Sequence, residues 1–309
     1  MDINGFSRDP LNMKDSNPGR VVYCPGGVGR NIAENLHRLG AEVRFIGVIG
    51  EDPGGELLKD SSARMGLNIE HSLFVKSREQ VTSVYLALMD SNGEMKLALA
   101  DMDIMEEMTE EHLESKAGII YESSIVLLDT NLPERIISFI TDRYGGDSGP
   151  AFFLDAVSAR KAPRAASRLG AFDTLKLSRM EASVLSGIEI PGLNMPGETA
   201  SFKVREKLDE AAHCLTGKGA RRVFITLGKE GVYTACPGKS FFSPVRYAPP
   251  LNTSGAGDAF TAGIVYGTLR DWDEEAIVAF SMAMARITVR SKSTVSPEMC
   301  LELVKSNEE

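Results

Sequence analysis

The sequence predicts an α/β protein: a doubly wound, mostly parallel sheet flanked by helices, with a small β-lid. Three observations carry that expectation. Short, fully apolar β-rich runs recur along the chain, as strands buried on both faces of a parallel sheet require. Helical patterns that often close in glycine lie between them, and regular alternation of strand and helix builds right-handed βαβ units. One pair of alternating strands around Asn-Gly breaks the rhythm and signals a hairpin.

Taken in order, GGVGRNIAENLHRLG (26–40) is a helical pattern, VRFIGVIG (43–50) a strand and GGELLKDSSARMG (54–66) a second helix. TSVYLALMD, SNGE and MKLALADMD (82–103) form the hairpin. Hairpins sit poorly inside a parallel sheet, so this one is expected to join residues 5–24, giving a β-lid from about 5–24 and 73–103. SIVLLDT (124–130), AFFLDAV (151–157), TLKLS (174–178) and RRVFITLG (221–228) are the next strands. Helices over 133–146, 159–170 and 201–217 alternate with them, and GIEIPGLNMPGET (187–199) reads as a surface loop. FITLGKEGVYT (224–234) is strand, turn and strand. Two long helices, 255–271 and 274–291, close the chain. No repeat or low-complexity tract interrupts it, and residues 1–309 are expected to form a single domain.

The 309 residues carry a net charge of −9 with 43% hydrophobic residues, the proportions of a soluble globular protein. That charge argues against nucleic acid or an anionic membrane as partner, because both demand a basic surface. Cys24, Cys214, Cys236 and Cys300 contain no C-x-x-C pair, and the opening MDINGFSRDP has no apolar run. Neither a zinc framework, a disulfide scaffold nor a signal peptide is expected, and a reducing cytoplasm is the simplest location.

Within PPLNTSGAGDAFTAG (249–263), Ser254, Gly255, Ala256 and Gly257 lead straight into a helix. Exposed amides at a helix N-terminus form an anion hole. Asp258 stands in the first turn, where a carboxylate could accept a proton from a hydroxyl attacking a phosphoryl group. In CPGGVGRNIAENL, Gly26, Gly27 and Gly29 allow close backbone approach to a ligand, and Asn31 projects from the next helix turn. Asp52 and Asp15 read as turn and cap residues, and Met282 and Met284 as core. Asp155 and Ser158 follow a strand at its carboxyl end, where α/β sheets bind ligands. Lys161 is expected on the solvated surface. The four histidines receive no role.

These segments, in this order and spacing, resemble the signature regions of the ribokinase-like (PfkB) carbohydrate and nucleoside kinases across almost the whole chain. The opening MDINGFSRDPLNMKDSNPG joined to PGGVGRNIAENL is most similar to the pseudouridine kinases of that family. The resemblance implies ATP- and magnesium-dependent phosphorylation of a ribose 5′-hydroxyl, pseudouridine being the first expectation. A free sugar such as ribose or fructose, another nucleoside, or a non-catalytic nucleoside or nucleotide binder are the alternatives. By the same resemblance Asp258 is the base, with Gly255, Ala256 and Gly257 as the anion hole. Asp2, Gly26, Gly27 and Asn31 hold the substrate. Thr226, Gly228, Gly231 and Ser178 lie along the nucleotide, and Glu181 organises magnesium through water. A homodimer through the lid is implied as an option.

Three departures from the family pattern bear on these expectations. Its N-x-x-E motif reads Ser178-Arg179-Met180-Glu181, so weaker magnesium organisation is expected. Asn252 stands where many members carry an aspartate, so strong monovalent-cation dependence is not expected. The family opens with a central strand ahead of the position of Asp2, and this sequence starts at Met1. The sheet is therefore expected to lack that strand and Asp2 to hang from a free terminus.

Overall fold

A computed structural model describes residues 1–77, 79–92, 94–146, 148–192, 198–245 and 251–308. From the N-terminus run strands β1 (Asp2–Ser7) and β2 (Gly19–Cys24), helix α1 (Val28–Arg38), β3 (Val48–Gly50), α2 (Pro53–Met65), β4 (Leu73–Val75), β5 (Val84–Met89) and β6 (Met95–Asp101). Short helices α3 (Glu110–Glu114) and α4 (Ala117–Glu122) lead to β7 (Ile125–Asp129), α5 (Glu134–Tyr144) and β8 (Ala151–Asp155). Then follow β9 (Thr174–Ser178), α6 (Arg179–Ser186), α7 (Glu198–Gly217), β10 (Arg222–Thr226), β11 (Gly231–Cys236) and β12 (Lys239–Pro244). Helices α8 (Ala256–Thr268), α9 (Glu274–Val289) and α10 (Leu301–Lys305) end the chain.

The main sheet has the order β12-β11-β10-β9-β8-β7, parallel from β7 to β10 and antiparallel beyond. Alternate residues of its strands enter two cores. Leu154, Leu175, Leu177, Val223 and Ile225 pack with Ile136, Ile137, Leu208 and Leu215 on the face covered by α5 and α7. Phe153 and Phe224 pack with Ile32, Phe260, Phe280 and Met284 on the face covered by α1, α8 and α9. The arrangement is three-layered, as the alternating pattern required. No helix among the described residues is long and apolar enough to cross a membrane.

A second sheet, β2-β1-β5-β6, joins the hairpin to the N-terminal strands. Its hairpin is closed by Asp90, whose Oδ1 accepts the amides of Asn92 and Glu94 at 2.9 Å each; Gly93 of the expected Asn-Gly turn lies outside the described residues. The Gly/Pro loop likewise falls outside them over 193–197.

Four expectations need correction. Residues 73–75 belong to no lid strand, because β4 pairs in parallel with β3 instead. The strand expected over 43–50 is reduced to Val48–Gly50. Ahead of β4 the chain is a turn closed by the Ser72 amide on Ile69 O, so 43–47 finds no ladder, and Gly47 N donates to the Ser72 hydroxyl. The α-helix expected over 159–170 is a 3₁₀ segment, Ala162–Ala171, interrupted at Arg168. Pro163 removes a donor from its first turn, and i→i+3 bonds such as Arg164 N to Lys161 O take over.

Asp2, finally, does not hang free. It lies in β1, in register with Cys24 on one side and Tyr85 on the other. Met1 before it is buried, donating its α-amino group to Ser83 O at 2.7 Å and accepting Tyr85 N at 2.8 Å. The expectation about the main sheet fares differently. Among the described residues nothing pairs with the outer edge of β7, and that edge and β3 line one cavity of about 1160 Å³.

Candidate active site

The same cavity collects the groups expected to do chemistry. Asp2, Gly26, Gly27, Gly29, Asn31, Ser254, Gly255 and Asp258 all border it. Their convergence follows from local structure. Gly255 caps α8 with φ +81°, and a Cβ there would lie 1.9 Å from Thr294 O, so only glycine fits. No side chain caps this helix start. Its first amides, including those of Ala256 and Gly257, are therefore left for a ligand, and they carry the positive end of the helix dipole.

Asp258 in that first turn accepts a hydrogen bond from Asn31 Nδ2 at 2.8 Å. Asn31 is itself oriented by Arg30, whose guanidinium donates to Asn31 Oδ1 at 3.2 Å while pairing with Glu34 at 2.7 Å. Burial pushes the Asp258 carboxyl up to about 7, and the neighbouring Asp155 adds to the rise, against the Asn31 hydrogen bond and Lys176. A carboxyl tuned to that range suits a general base at neutral pH.

Gly26 lies against Asp2: a Cβ on it would come within 2.2 Å of the Asp2 carboxyl. Gly27 holds φ +102° at the start of α1. Burial raises the Asp2 carboxyl, with the α-amino group and Arg30 opposing.

The residues expected along a nucleotide gather elsewhere in the sheet. Ser178 ends β9 and Thr226 ends β10, directly opposite each other in the parallel ladder, and Gly228 and Gly231 form the turn that follows. Ser178 and Glu181 make a capping box at α6: Glu181 Oε2 accepts Ser178 N at 2.6 Å, and Ser178 Oγ accepts Glu181 N at 3.4 Å. Both therefore have a structural task that the S-x-x-E spacing itself announces. Asp52 caps α2 through Gly55 N and Asp15 accepts Ser16 N, as read from sequence. Met284 is core, and all four cysteines are free thiols.

Several residues of this region were not legible in the sequence. Asp129, at the end of β7, accepts Gly29 N at 3.0 Å and Asn131 N at 2.7 Å; burial raises its carboxyl, and Asp155 adds to the rise. Lys161, expected on the surface, is half-buried on the cavity wall and donates to Asn131 Oδ1 at 2.6 Å, because the 3₁₀ turn draws it inward. Burial lowers its ammonium, Arg164 acting the same way and Asp129 the opposite. Lys176 is buried within β9. The carboxyl ends of β7 and β8 were the only available signal for Asp129, Asn131 and Lys161.

Comparison with known proteins gives this arrangement its context. The pfkB carbohydrate kinase family matches residues 1–299. The pseudouridine kinase of Escherichia coli is 32% identical over 307 residues, covering 99% of this chain and 93% of its own length. A carbohydrate kinase from Agrobacterium tumefaciens superposes with a TM-score of 0.77 at 26% identity, covering 99% and 93% of the two chains. The ribokinase of Giardia lamblia shares the fold, with a TM-score of 0.81 at 16% identity over 99% and 96%. A ribokinase-like sheet, a glycine-capped helix with a half-buried aspartate in its first turn, and a family match over nearly the whole length agree: the chain belongs to the pfkB family of carbohydrate kinases, phosphotransferases that act on an alcohol group.

Proposed function

We propose that this kinase transfers the γ-phosphoryl group of ATP to the ribose 5′-hydroxyl of a nucleoside, with pseudouridine as substrate. The observation that carries the reading is Asp258, a half-buried carboxyl raised to about 7, held by Asn31 at the amides of α8 in the cavity that also contains Asp2. Asp2, Asn31 and the backbone of Gly26 and Gly27 hold the ribose. Asp258 removes the proton of the attacking hydroxyl, and the amides of Gly255, Ala256 and Gly257 stabilise charge on the transferred oxygens. The likeness to a pseudouridine kinase over nearly the full length supports the choice of base.

Ser178, Thr226, Gly228 and Gly231 form the nucleotide side. Magnesium, when bound, neutralises charge between the phosphates. Glu181 spends Oε2 on its cap and makes no hydrogen bond through Oε1 among the described residues, which leaves that oxygen for a metal-bound water. One carboxylate with phosphates and waters is an ordinary magnesium environment. Asn252 is neutral and its amide oxygen accepts Ser254 N at 2.9 Å, which supports weak monovalent-cation dependence.

The chain acts as one kinase domain under a β-lid, and the lid supports a homodimer. Tyr23, Ile3, Leu86 and Leu99 form one cross-strand row and Val21, Gly5, Leu88 and Leu97 the next, on the same face. Tyr23 and Leu99 are each 63% exposed there, whereas Asp2, Asn4 and Tyr85 of the opposite face border the cavity. An apolar face of this kind fits a second copy of the lid. The free cysteines suit a reducing cytoplasm.

The test is ADP release from ATP and magnesium with pseudouridine, uridine, other nucleosides, ribose and fructose. The highest kcat/KM is expected with pseudouridine. A higher value with ribose or fructose moves the substrate to a free sugar, and binding without ADP release makes the protein a non-catalytic binder.

A further inference from the structure

Behind the anion hole lies a charge pair that the proposed chemistry does not use. Asp155 ends β8 and Lys176 sits opposite it in the parallel ladder with β9. Both are buried, and Lys176 Nζ lies 3.2 Å from Asp155 Oδ2. The same oxygen accepts Thr261 Oγ1 at 2.7 Å, and that hydroxyl also lies 3.0 Å from Gly257 O, one turn back in α8. Asp155 Oδ1 accepts Val157 N at 3.0 Å, holding a β-branched residue at φ +57°. Backbone strain of that kind persists only where the surroundings impose it, and it gathers at functional sites. The ammonium lies beside the residue before Asp258: a Cβ on Gly257 would be 3.0 Å from Lys176 Nζ.

We propose that Asp155 and Lys176 are positioning residues for Asp258, a fixed pair of opposite buried charges whose opposed fields decide the pH at which that carboxyl ionises. The proposal rests on Asp258 being the base. Asn31 of α1 donates to Asp258, and the charges of Asp2 from β1, Asp155 from β8 and Lys176 from β9 act on it, the last two through their places against Thr261 and Gly257 of α8. Glu181 of α6 also acts on the lysine, and Asp129 of β7 lies opposite Asp155 in the ladder. The two acids favour the protonated form of Asp258; the lysine favours the charged one. Burial works against the Lys176 ammonium, but Asp155, Glu181 and Asp258 outweigh it and hold it charged. Asp155 and Lys176 thus act on Asp258 in opposite directions, so removing one charge must move its ionisation up and removing the other must move it down.

The experiment is direct. The intact protein, labelled with ¹³C at the aspartate carboxyl carbons, is titrated by NMR, and the resonance lost in Asp258→Asn identifies the base. Lys176→Met is expected to raise the Asp258 midpoint by about one pH unit or more, and Asp155→Asn to lower it by a similar amount, as a near charge commonly does. The double variant is expected to return close to wild type. Lys176→Arg keeps the charge and should titrate as wild type; together with Asp155→Asn it decides the matter if Lys176→Met does not fold. Midpoints that stay put, shifts in one direction for both single variants, or a Lys176→Arg midpoint moved as far as that of Lys176→Met would overturn the proposal. If Asp258→Asn retains turnover, the base assignment fails, whatever the titrations show.

Discussion

Asp258 is a single residue that costs the folded protein stability at neutral pH. Its folded value, about 7, lies above the 3.8 of an ordinary aspartate, so between about pH 4 and pH 7 the folded state binds a proton that the unfolded state has released. Stability from this group is complete below that window and is lost as pH rises through 7, by an amount on the order of a few kcal/mol. Asp258→Asn should therefore raise the melting temperature more at pH 8 than at pH 5; an equal gain at both would mean that the carboxyl is not perturbed. Gly26 supplies a second test at this scale. Gly26→Ala places a methyl where the Asp2 carboxyl sits and should raise the nucleoside KM about tenfold or more, roughly 1.4 kcal/mol, with ATP affinity unchanged. Asp258, Asn31 and Gly26 could be read from sequence because their motifs are contiguous. Arg30 could not be, since its task is to orient Asn31, and Lys176 could not be, since only the β8–β9 register brings it beside Asp155.

Among the elements, α6 carries the clearest departure from the family pattern. Ser178 caps it, and asparagine is as good an N-cap as serine. Ser178→Asn should thus leave stability within about 0.5 kcal/mol while lowering, or leaving equal, the magnesium needed for half-maximal rate. A clear rise in the magnesium requirement would show the serine to be an adapted ligand. Element boundaries were legible where apolar runs met a ladder on both sides, as in β8, β9 and β10. They were not where pairing decides: 43–47 is as β-prone as β7 yet has no partner strand among the described residues, and Pro163 with an inward Lys161 turns an amphipathic pattern into a 3₁₀ segment. No periodicity reports such tertiary constraints.

At the scale of the molecule, the second sheet presents two different faces, and the proposed lid and dimer roles take one each. Asp2 and Tyr85 look into the cavity while Tyr23, Val21, Leu97 and Leu99 look out. Leu99→Lys should shift the sedimentation profile from dimer to monomer; a wild-type protein already monomeric at micromolar concentration would contradict the lid interface. The hairpin and its union with the N-terminal strands could be anticipated because an antiparallel pair does not fit within a parallel sheet. Which face turns inward depends on register alone, and one residue of slip would exchange them. The proposed transfer of a phosphoryl group beside α8 is probed most directly by one measurement: the single-turnover rate of phosphoryl transfer from ATP in Asp258→Asn, with ATP affinity measured on the same protein. A fall of about 10²–10⁴ in rate with ATP binding intact is the predicted result. A rate near that of the wild type would show that Asp258 only begins a helix.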